Sequence, residues 1–310
     1  MNTDTGGTLT TYLALSGAAL FWGLSFVGTK IALETLPTFT VVFCRFSLAS
    51  IFFLLLMTRY GFPRFTPREH VKLFCIALFE PGLYFVFETL GLQHTSAPKA
   101  ALIIATVPLT VTVLARFLLG ERTRLGSFVG AGISLAGIAV LITGAPDFSW
   151  SLQGSLFGDL LIFGAVISAA LYIVFARNLG RHHDALPITS LQILYGALFY
   201  APAFFFELPT TDWSVVTGRS VAAIIYLTVF ATIGAFLCYN HALTRVPASR
   251  AAVFINCIPV VTAIGAWIIL GETLTPVQLF GGCLVLFGVF LANLPGFRSE
   301  PNPDVVEAPV

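Results

Sequence analysis

Three ionisable residues, Arg45, Glu80 and Glu88, lie inside otherwise apolar stretches of this sequence. An ionisable side chain in a bilayer costs about 2.5–3.5 kcal/mol on insertion scales, so such residues usually face a cavity or a partner. Tyr84 lies between the two glutamates, and the spacing i, i+4, i+8 predicts one polar stripe along a single helix. The stripe predicts the lining of a cavity that binds a polar solute.

Pro81 and Gly82 follow Glu80 directly and predict a kink in the same helix. Proline removes one i to i−4 hydrogen bond, and glycine loosens the turn. Interrupted helices near the bilayer midplane often form substrate sites, because their free carbonyls and amides can bind a ligand. The alternative is a bend that only fits the helix around its neighbours, and the sequence leaves both interpretations open.

Arg45 and Glu88 are predicted to lie at similar depth and could form an ion pair. One interpretation is a structural pair that ties the second span to the third. In the other, Arg45 binds a substrate carboxylate while a glutamate binds the amine or a coupling proton. Apolar surroundings favour the neutral form of a carboxyl group, which suits proton coupling. Glu80 and Glu88 are therefore the stronger candidates for substrate or proton chemistry.

Four further residues complete the predicted cavity lining: Trp22, Tyr239, His241 and Asn256. Trp22 lies near the centre of the first span, away from the interfacial belts where tryptophan concentrates. Alternatively, His241 lies at the level of the lipid headgroups. Asn256 could instead form a hydrogen bond between helices. Asp159, near the outer end of the sixth span, is either a snorkelling residue or a charge at the cavity mouth.

The composition requires a membrane around the elements that position these residues. The chain has 310 residues, of which 57% are hydrophobic and only 10% are charged, against about 25% charged in ordinary soluble domains. A net charge of +1 leaves no basic surface for nucleic acid. The five cysteines lie in apolar stretches without ligand spacing, so no disulfide framework, metal site or cofactor is predicted.

Ten apolar segments predict ten transmembrane helices, since about 20 apolar residues cross a hydrocarbon core of about 30 Å. Residues 1–10 are predicted to be a short tail, and residues 296–310, which are acidic and rich in proline, a disordered one. The repeats are predicted at 11–143 and 154–295. The segments lie near 11–33, 38–58, 70–91, 97–118, 124–143, 154–177, 186–207, 217–240, 248–270 and 275–295.

The basic residues predict the orientation. Loops on the side of the amino terminus carry twelve of the sixteen Lys and Arg residues, and the opposite side carries three. Because cytoplasmic loops are enriched in Lys and Arg, both termini are predicted to lie in the cytoplasm, with the protein in the inner (plasma) membrane.

An internal repeat predicts the architecture. Residues 91–142 align without a gap with residues 242–293, at an offset of 151, and 13 of the 52 positions are identical. The shared Leu-Gly-Glu motifs contain Glu121 and Glu272, which we interpret as helix caps or ties between helices. Five spans per repeat is an odd number, so the second repeat is predicted to be inverted. The predicted fold is an all-α membrane protein with ten transmembrane helices in a 5+5 inverted repeat, a recurrent plan of secondary transporters.

Four features resemble the drug/metabolite transporter superfamily, and specifically its EamA-type members. They are ALFWGLSFVGTKIAL at 19–33, CRF at 44–46, GLQHTSAPKAALI at 91–103 and the Leu-Gly-Glu motif followed by spaced glycines. The resemblance covers about residues 12–295. It implies a ten-helix carrier, commonly an exporter of amino acids or other metabolites, with a central cavity lined by helices of both repeats.

The predicted function is therefore a secondary transporter, not an enzyme, that exports amino acids or related small metabolites by alternating access. Its expected partners are a small-molecule substrate, the lipid bilayer and protons as a candidate coupling ion, in a monomer or a homodimer. No ATP-binding motif of the type GxxxxGK[ST] is present, which argues against ATP-driven pumping by this chain. The alternatives are a membrane-embedded receptor or scaffold, which leaves the repeat unexplained, and a membrane enzyme.

Overall fold

The computed structural model describes residues 5–62, 65–119, 125–146, 148, 154–176, 185–243, 254 and 256–292. All regular structure in this part of the chain is helical. The α-helices are α1 Thr5–Leu33, α2 Thr38–Tyr60, α3 Pro67–Ala77, α4 Tyr84–Leu92, α5 Ala97–Ile104, α6 Val107–Leu119, α7 Leu125–Thr143, α8 Ser155–Ala176, α9 Ala185–Glu207, α10 Gly218–Tyr226, α11 Ala235–Leu243, α12 Ile258–Leu270 and α13 Pro276–Ala292. Two π-helical segments are π1 Leu78–Leu83 and π2 Leu227–Gly234.

Ten apolar helical segments follow one another along the described residues. Seven are long and apolar enough to cross a membrane, and three shorter apolar helices lie at Phe128–Thr143, Ile258–Leu270 and Pro276–Leu291. The shorter ones correspond to the predicted fifth, ninth and tenth spans. The predicted fold class, an all-α membrane protein of ten transmembrane helices, is confirmed.

The first helix differs from its prediction. The helix α1 begins at Thr5, inside the segment 1–10 that is predicted to be a tail, since no proline interrupts the chain before the apolar stretch. The start of the ninth span, predicted at 248, lies outside the described residues, and the helix α12 begins at Ile258. Residues 244–253, the predicted tail at 296–310 and Glu121 lie outside the described residues.

The repeat is visible in the helix ends themselves. The helix α4 corresponds to α11, and α6 corresponds to α12, each at an offset of 151 residues. The helices α2 and α9 both have 23 residues and correspond at an offset of 147. The offsets differ because the connection at 208–217 is longer than the one at 61–66. Equivalent positions in the two repeats can therefore be compared residue by residue.

The third and eighth spans are both interrupted near their middle. The π segments π1 and π2 overlap when the repeats are superposed, and the backbone of Glu80 is not helical, with φ −141° and ψ 115°. The kink predicted at Pro81-Gly82 is confirmed. The prediction that Glu80, Tyr84 and Glu88 follow one regular helix is wrong at Glu80. The backbone of Glu80 is not helical, so helical spacing does not relate it to Tyr84 and Glu88.

The fifth and tenth spans pack directly against each other and form the most extensive helix pair of the described residues. A Cβ atom added to Gly137 of α7 would lie 2.6 Å from the backbone nitrogen of Val285 and 2.8 Å from the carbonyl oxygen of Gly281. Gly288 of α13 faces Gly130 in the equivalent way. The small residues therefore permit close backbone contact, as small-xxx-small spacing predicts.

A hydrophobic core joins the two repeats at the predicted outer end of the bundle. Its members come from α1, α2, α4, α5, α7, α8, α10, π2 and α12. Two glutamates also tie the repeats together by accepting hydrogen bonds from the first amides of helices. Glu272 accepts from Ala97 of α5 at 2.8 Å, and Glu207 accepts from Thr40 of α2 at 2.8 Å. Free amides at a helix start favour an anionic acceptor, so the predicted capping role of Glu272 is confirmed.

Two ion pairs lie within this region. Glu272 pairs with Lys30, and Asp159 pairs with Lys99 at 2.6 Å from Nζ to Oδ2. The Lys99 and Asp159 side chains are only 2% and 0% exposed, and Thr95 donates a hydrogen bond to Asp159 at 2.7 Å. Both interpretations of Asp159 from the sequence are therefore wrong. It neither snorkels nor lies at a cavity mouth, because Lys99 neutralises it inside the bundle.

Candidate functional site

Arg45 projects from α2 into the interior and is only 3% exposed. Its Nε atom donates a hydrogen bond to the Thr232 hydroxyl of π2 at 2.5 Å. The guanidinium carbon lies 4.5 Å from the ring centroid of Phe85 and 5.7 Å from that of Phe46. A buried guanidinium is stabilised by such hydrogen bonds and ring faces. Arg45 therefore connects the second span of one repeat to the interrupted span of the other.

Glu88 is buried opposite Arg45, with an exposed fraction of 2%. The two side chains interact electrostatically, but they form no direct ion pair, since within the described part of the chain no carboxylate oxygen lies within 4 Å of Arg45. The Thr89 hydroxyl lies 3.5 Å from Oε2 of Glu88. Glu88 is therefore buried near Arg45 without a direct ion pair, while Arg45 binds Thr232 of the other repeat.

Glu80 lies at the interruption of the third span and is half-buried. Its backbone carbonyl accepts a hydrogen bond of 2.6 Å from Nε2 of Gln192 in α9. Gln192 also accepts a hydrogen bond from the Tyr172 hydroxyl at 3.3 Å. The second repeat thus binds the carbonyl oxygen that the kink in the first repeat leaves free.

The interrupted segment π2 of the second repeat is likewise bound by a side chain of the first repeat. The carbonyl of Ala231 in π2 accepts a hydrogen bond of 3.1 Å from Nε1 of Trp22 in α1. Ala231 is the repeat equivalent of Glu80, and Arg45, which binds π2 at Thr232, is the equivalent of Gln192. Each interrupted helix is therefore held by side chains from the other repeat, at positions related by the inverted symmetry.

Aromatic side chains lie beside both interrupted helices. Tyr172 donates to Gln192, which binds the carbonyl of Glu80, and the ring of Tyr84 contacts that of Phe85, over which Arg45 lies. The ring of Trp22 lies 5.2 Å from that of Tyr239 and 5.5 Å from that of Phe236, between centroids. Six of the eight predicted cavity residues therefore lie in one region of the structure: Trp22, Arg45, Glu80, Tyr84, Glu88 and Tyr239.

The other two predicted cavity residues lie near the ends of helices. His241 is exposed near the end of α11. Asn256 lies in the turn that precedes α12, at the repeat equivalent of the break between α5 and α6, and its Oδ1 atom is buried without a hydrogen-bond partner among the described residues. A role for either residue in binding substrate stays a prediction.

Sequence reasoning missed four residues that bind the interrupted helices: Tyr172, Gln192, Tyr200 and Thr232. Gln192 could have been found from the repeat, because an offset of 147 between α2 and α9 aligns it with Arg45. That offset depends on the different lengths of the connections at 61–66 and 208–217, which the gap-free alignment at 151 does not supply. The sequence carries no comparable signal for the two tyrosines, whose hydroxyls reach their partners only in the packed bundle.

Replacing Tyr200 with phenylalanine should destabilise the protein by about 1–3 kcal/mol, the usual cost of leaving buried acceptors unsatisfied. The Tyr200 hydroxyl donates to the carbonyl of Pro81 at 2.6 Å and lies against that of Gly82, and the side chain is only 2% exposed. Detergent-solubilised protein titrated with SDS and followed by circular dichroism would measure the change. Tyr60→Phe is the control, since Tyr60 is 73% exposed. Equal stability of the two variants would contradict the assigned hydrogen bonds.

Comparison with known proteins agrees with the two-repeat architecture. The sequence matches the EamA-like transporter family twice, over residues 9–143 and over residues 156–294. The chain belongs to this family. The resemblance noted from the short motifs, to EamA-type members of the drug/metabolite transporter superfamily, is therefore confirmed.

Relatives of this EamA-family chain come from several kingdoms. The uncharacterized transporter YetK of Bacillus subtilis is 29% identical over 298 residues, covering 96% of this chain and 90% of that protein. An uncharacterized transporter of Archaeoglobus fulgidus is 27% identical, covering 90% and 97%. The chloroplastic WAT1-related protein At3g02690 of Arabidopsis thaliana is 28% identical, covering 93% and 70%. One solved crystal structure shares the fold, with a TM-score of 0.65 at 19% identity over 92% of this chain and 98% of that one.

Proposed function

We propose that this EamA-family membrane protein is a secondary transporter of amino acids or related small metabolites, which it exports across the inner (plasma) membrane by alternating access. The observation that carries the proposal is the pair of interrupted helices, each held by side chains from the opposite repeat. The third and eighth spans are broken at equivalent positions, and Arg45 and Gln192 bind them from equivalent positions.

Alternating access by repeat exchange requires two similar bodies that meet at one central site. The interruptions place Glu80 and π2 at that meeting point, beside the buried charges of Arg45 and Glu88. We propose that the two repeats exchange conformations during transport, which the similar contacts to π1 and π2 support. We propose that both termini lie in the cytoplasm, on the side where most basic residues occur.

The proposal also assigns the candidate partners. The substrate binds among Arg45, Glu80 and Glu88, and a proton is the candidate coupling ion, since Glu88 has no direct cationic partner within 4 Å among the described residues. The family name and the names of the relatives refer to transporters, which favours transport over an enzymatic role.

The test is uptake by proteoliposomes that contain the purified protein, with radiolabelled amino acids, amines and other metabolites, each with and without a pH gradient. We expect saturable uptake of one chemical class by the wild type and loss of that uptake in Glu80→Gln and Glu88→Gln. Glu34→Gln is the matched control, because Glu34 lies in an exposed ion pair with Arg219 at 3.5 Å, far from the site.

The outcomes separate transport from the alternatives. Uptake that survives in both site variants would show that the substrate path lies elsewhere in the bundle. Failure of the wild type to take up any compound of the panel, with size-exclusion chromatography showing folded protein, would contradict the transporter proposal and favour a receptor or scaffold.

A further inference from the structure

We infer that Lys30 and Glu272 form an outer gate, which closes the central site by binding the turn between α4 and α5. This turn comprises residues 93–96 and lies at the end of the bundle opposite to the proposed cytoplasmic termini. The inference rests on the proposed transport function. It adds to alternating access the residues whose contacts must break before the site opens to the outside.

Lys30 of α1 and Glu272, which follows α12, bind each other and the same turn. Lys30 donates from Nζ to Oε1 of Glu272, and at 2.9 Å to the backbone carbonyl of Thr95. The second carboxylate oxygen, Oε2, accepts a hydrogen bond of 2.8 Å from the backbone amide of Ala97. Hydrogen bonds to ionised groups are about twice as strong as neutral ones. The ion pair therefore holds the turn at two backbone positions, and we call this arrangement the clamp.

The glycine of the Leu-Gly-Glu motif positions the Glu272 carboxylate. Gly271 ends α12 with φ 69° and ψ 13°, a left-handed conformation that glycine adopts without steric cost. The amide of Glu272 donates back to the carbonyl of Ala266 at 3.2 Å, as in the turns that commonly follow such a glycine. The backbone of Glu272 is thus fixed at the end of α12, and its side chain reaches the start of α5.

The clamp joins two tightly packed parts of the bundle. In the first part α1 packs against α12, where a Cβ atom added to Gly23 would lie 2.6 Å from Cβ of Val261. The Thr262 hydroxyl also donates to the carbonyl of Gly23 at 2.7 Å. In the second part α4 packs against α8, where a Cβ atom added to Gly158 would lie 2.9 Å from the carbonyl oxygen of Gly91. Closely packed helices move together as rigid bodies, so opening requires the two parts to separate.

The turn belongs to the second part. Its Thr95 hydroxyl donates to Asp159 of α8 at 2.7 Å, and Lys99 of α5 forms the buried ion pair with the same carboxylate. Lys30 and Glu272 belong to the first part, and their side chains are 24% and 20% exposed. Water can replace the contacts of partly exposed charges at low cost, whereas separating a buried pair is costly. We therefore assign the opening to the clamp and not to the pair of Lys99 and Asp159.

The experiment measures the distance between the two parts by double electron–electron resonance. Spin labels at Leu160 of α8 and Val221 of α10, both exposed, report on the second and the first part, since Ser220 of α10 donates to the carbonyl of Ile31 in α1 at 3.2 Å. The labels require replacement of the five native cysteines by alanine.

Loss of the clamp should favour the open state. In Glu272→Ala and in Lys30→Met, we expect the ratio of long to short distances to rise by about tenfold, the order that one hydrogen bond to a charged group contributes. Size-exclusion chromatography would show that each variant is folded, and either variant alone carries the test.

A charge swap separates the clamp from a simple ion pair. The double variant Lys30→Glu/Glu272→Lys keeps opposite charges at the two positions. It places a carboxylate against the carbonyl of Thr95 and an ammonium group against the amide of Ala97, so neither backbone contact can form. We expect the double variant to stay as open as the single ones. Full recovery of the wild-type distances would overturn the clamp.

Glu34→Gln is the matched control. It removes the exposed ion pair between Glu34 and Arg219, which lies at the same end of the bundle but within the first part, so the distances should not change. Equal distance distributions in the wild type, Glu272→Ala and Lys30→Met would overturn the gate.

Failure of the gate is distinguishable from failure of the proposed function, because the distances are measured without substrate. Unchanged distances in a protein that takes up substrate would overturn the gate and leave transport standing. A shifted distribution in a protein that takes up no compound would support the gate motion and contradict the transport function.

Discussion

Replacing Lys99 with methionine should lower the free energy of unfolding by about 3–5 kcal/mol, because breaking a buried ion pair leaves an uncompensated charge. Lys99 lies 2.6 Å from Asp159, and neither side chain is more than 2% exposed. The hydrogen bond from the uncharged Thr95 hydroxyl does not neutralise the carboxylate that remains. SDS titration of the detergent-solubilised protein, followed by circular dichroism, would measure the loss.

Two controls separate the buried charge from the loss of a side chain. Arg219→Met breaks the exposed pair with Glu34, whose side chains are 52% and 44% exposed, and such pairs contribute about 0–1 kcal/mol. The double variant Lys99→Met/Asp159→Leu removes both charges and should recover much of the stability of the wild type. A double variant that is less stable than Lys99→Met would contradict the cost assigned to the uncompensated Asp159 carboxylate.

Replacing Gly137 with alanine should destabilise the protein by up to about 3 kcal/mol, the cost typical of overpacking. The added Cβ would lie 2.6 Å from the backbone nitrogen of Val285 and 2.8 Å from the carbonyl oxygen of Gly281. These are backbone atoms of α13, so no side chain can rotate away and the two helices must separate. The same SDS titration would measure the difference.

Gly132 provides a matched control in the same helix. An added Cβ at this position meets no atom within 4 Å, and alanine is a better helix former than glycine by about 1 kcal/mol. Gly132→Ala should therefore be neutral or slightly stabilising. If the two alanine variants were equally stable, α7 and α13 could not be in the close contact that the structure shows.

Glu80 and Glu88 of the third span show how much of the candidate site could be predicted from the sequence. Glu80 and Glu88 stand out in the sequence because a charge in an apolar stretch is costly, and the structure places both inside the bundle. Their geometry could not be predicted from helical spacing, because π1 interrupts the helix at Glu80. Proline and glycine indicate that a helix bends, but the direction of the bend depends on the packing of α9 against it.

The sequence indicated which charged residues lie inside the bundle, but it did not indicate which residues they contact. Asp159 and Lys99 are 60 residues apart and belong to different repeats, and nothing in either segment indicates that the two side chains meet. Arg45 and Glu88 were interpreted as residues that could pair, and the structure shows Thr232 of the second repeat binding Arg45. Contacts between repeats depend on the relative position of two helix bundles, which local sequence patterns do not encode.

The sequence by itself determined the membrane location, the ten helices, the repeat and the interruption at Pro81-Gly82. The helices and the interruption follow from apolar segment length and residue type, which act over about 20 residues or fewer along the chain. The membrane location follows from the composition of the whole chain, and the repeat from the identical residues at an offset of 151. The tertiary structure decided which carbonyls of the interrupted helices are bound, by which repeat, and which buried charges remain without a counter-charge. Those features depend on side chains more than 100 residues apart, such as Gln192 and Glu80, because only the folded bundle excludes water and brings them together.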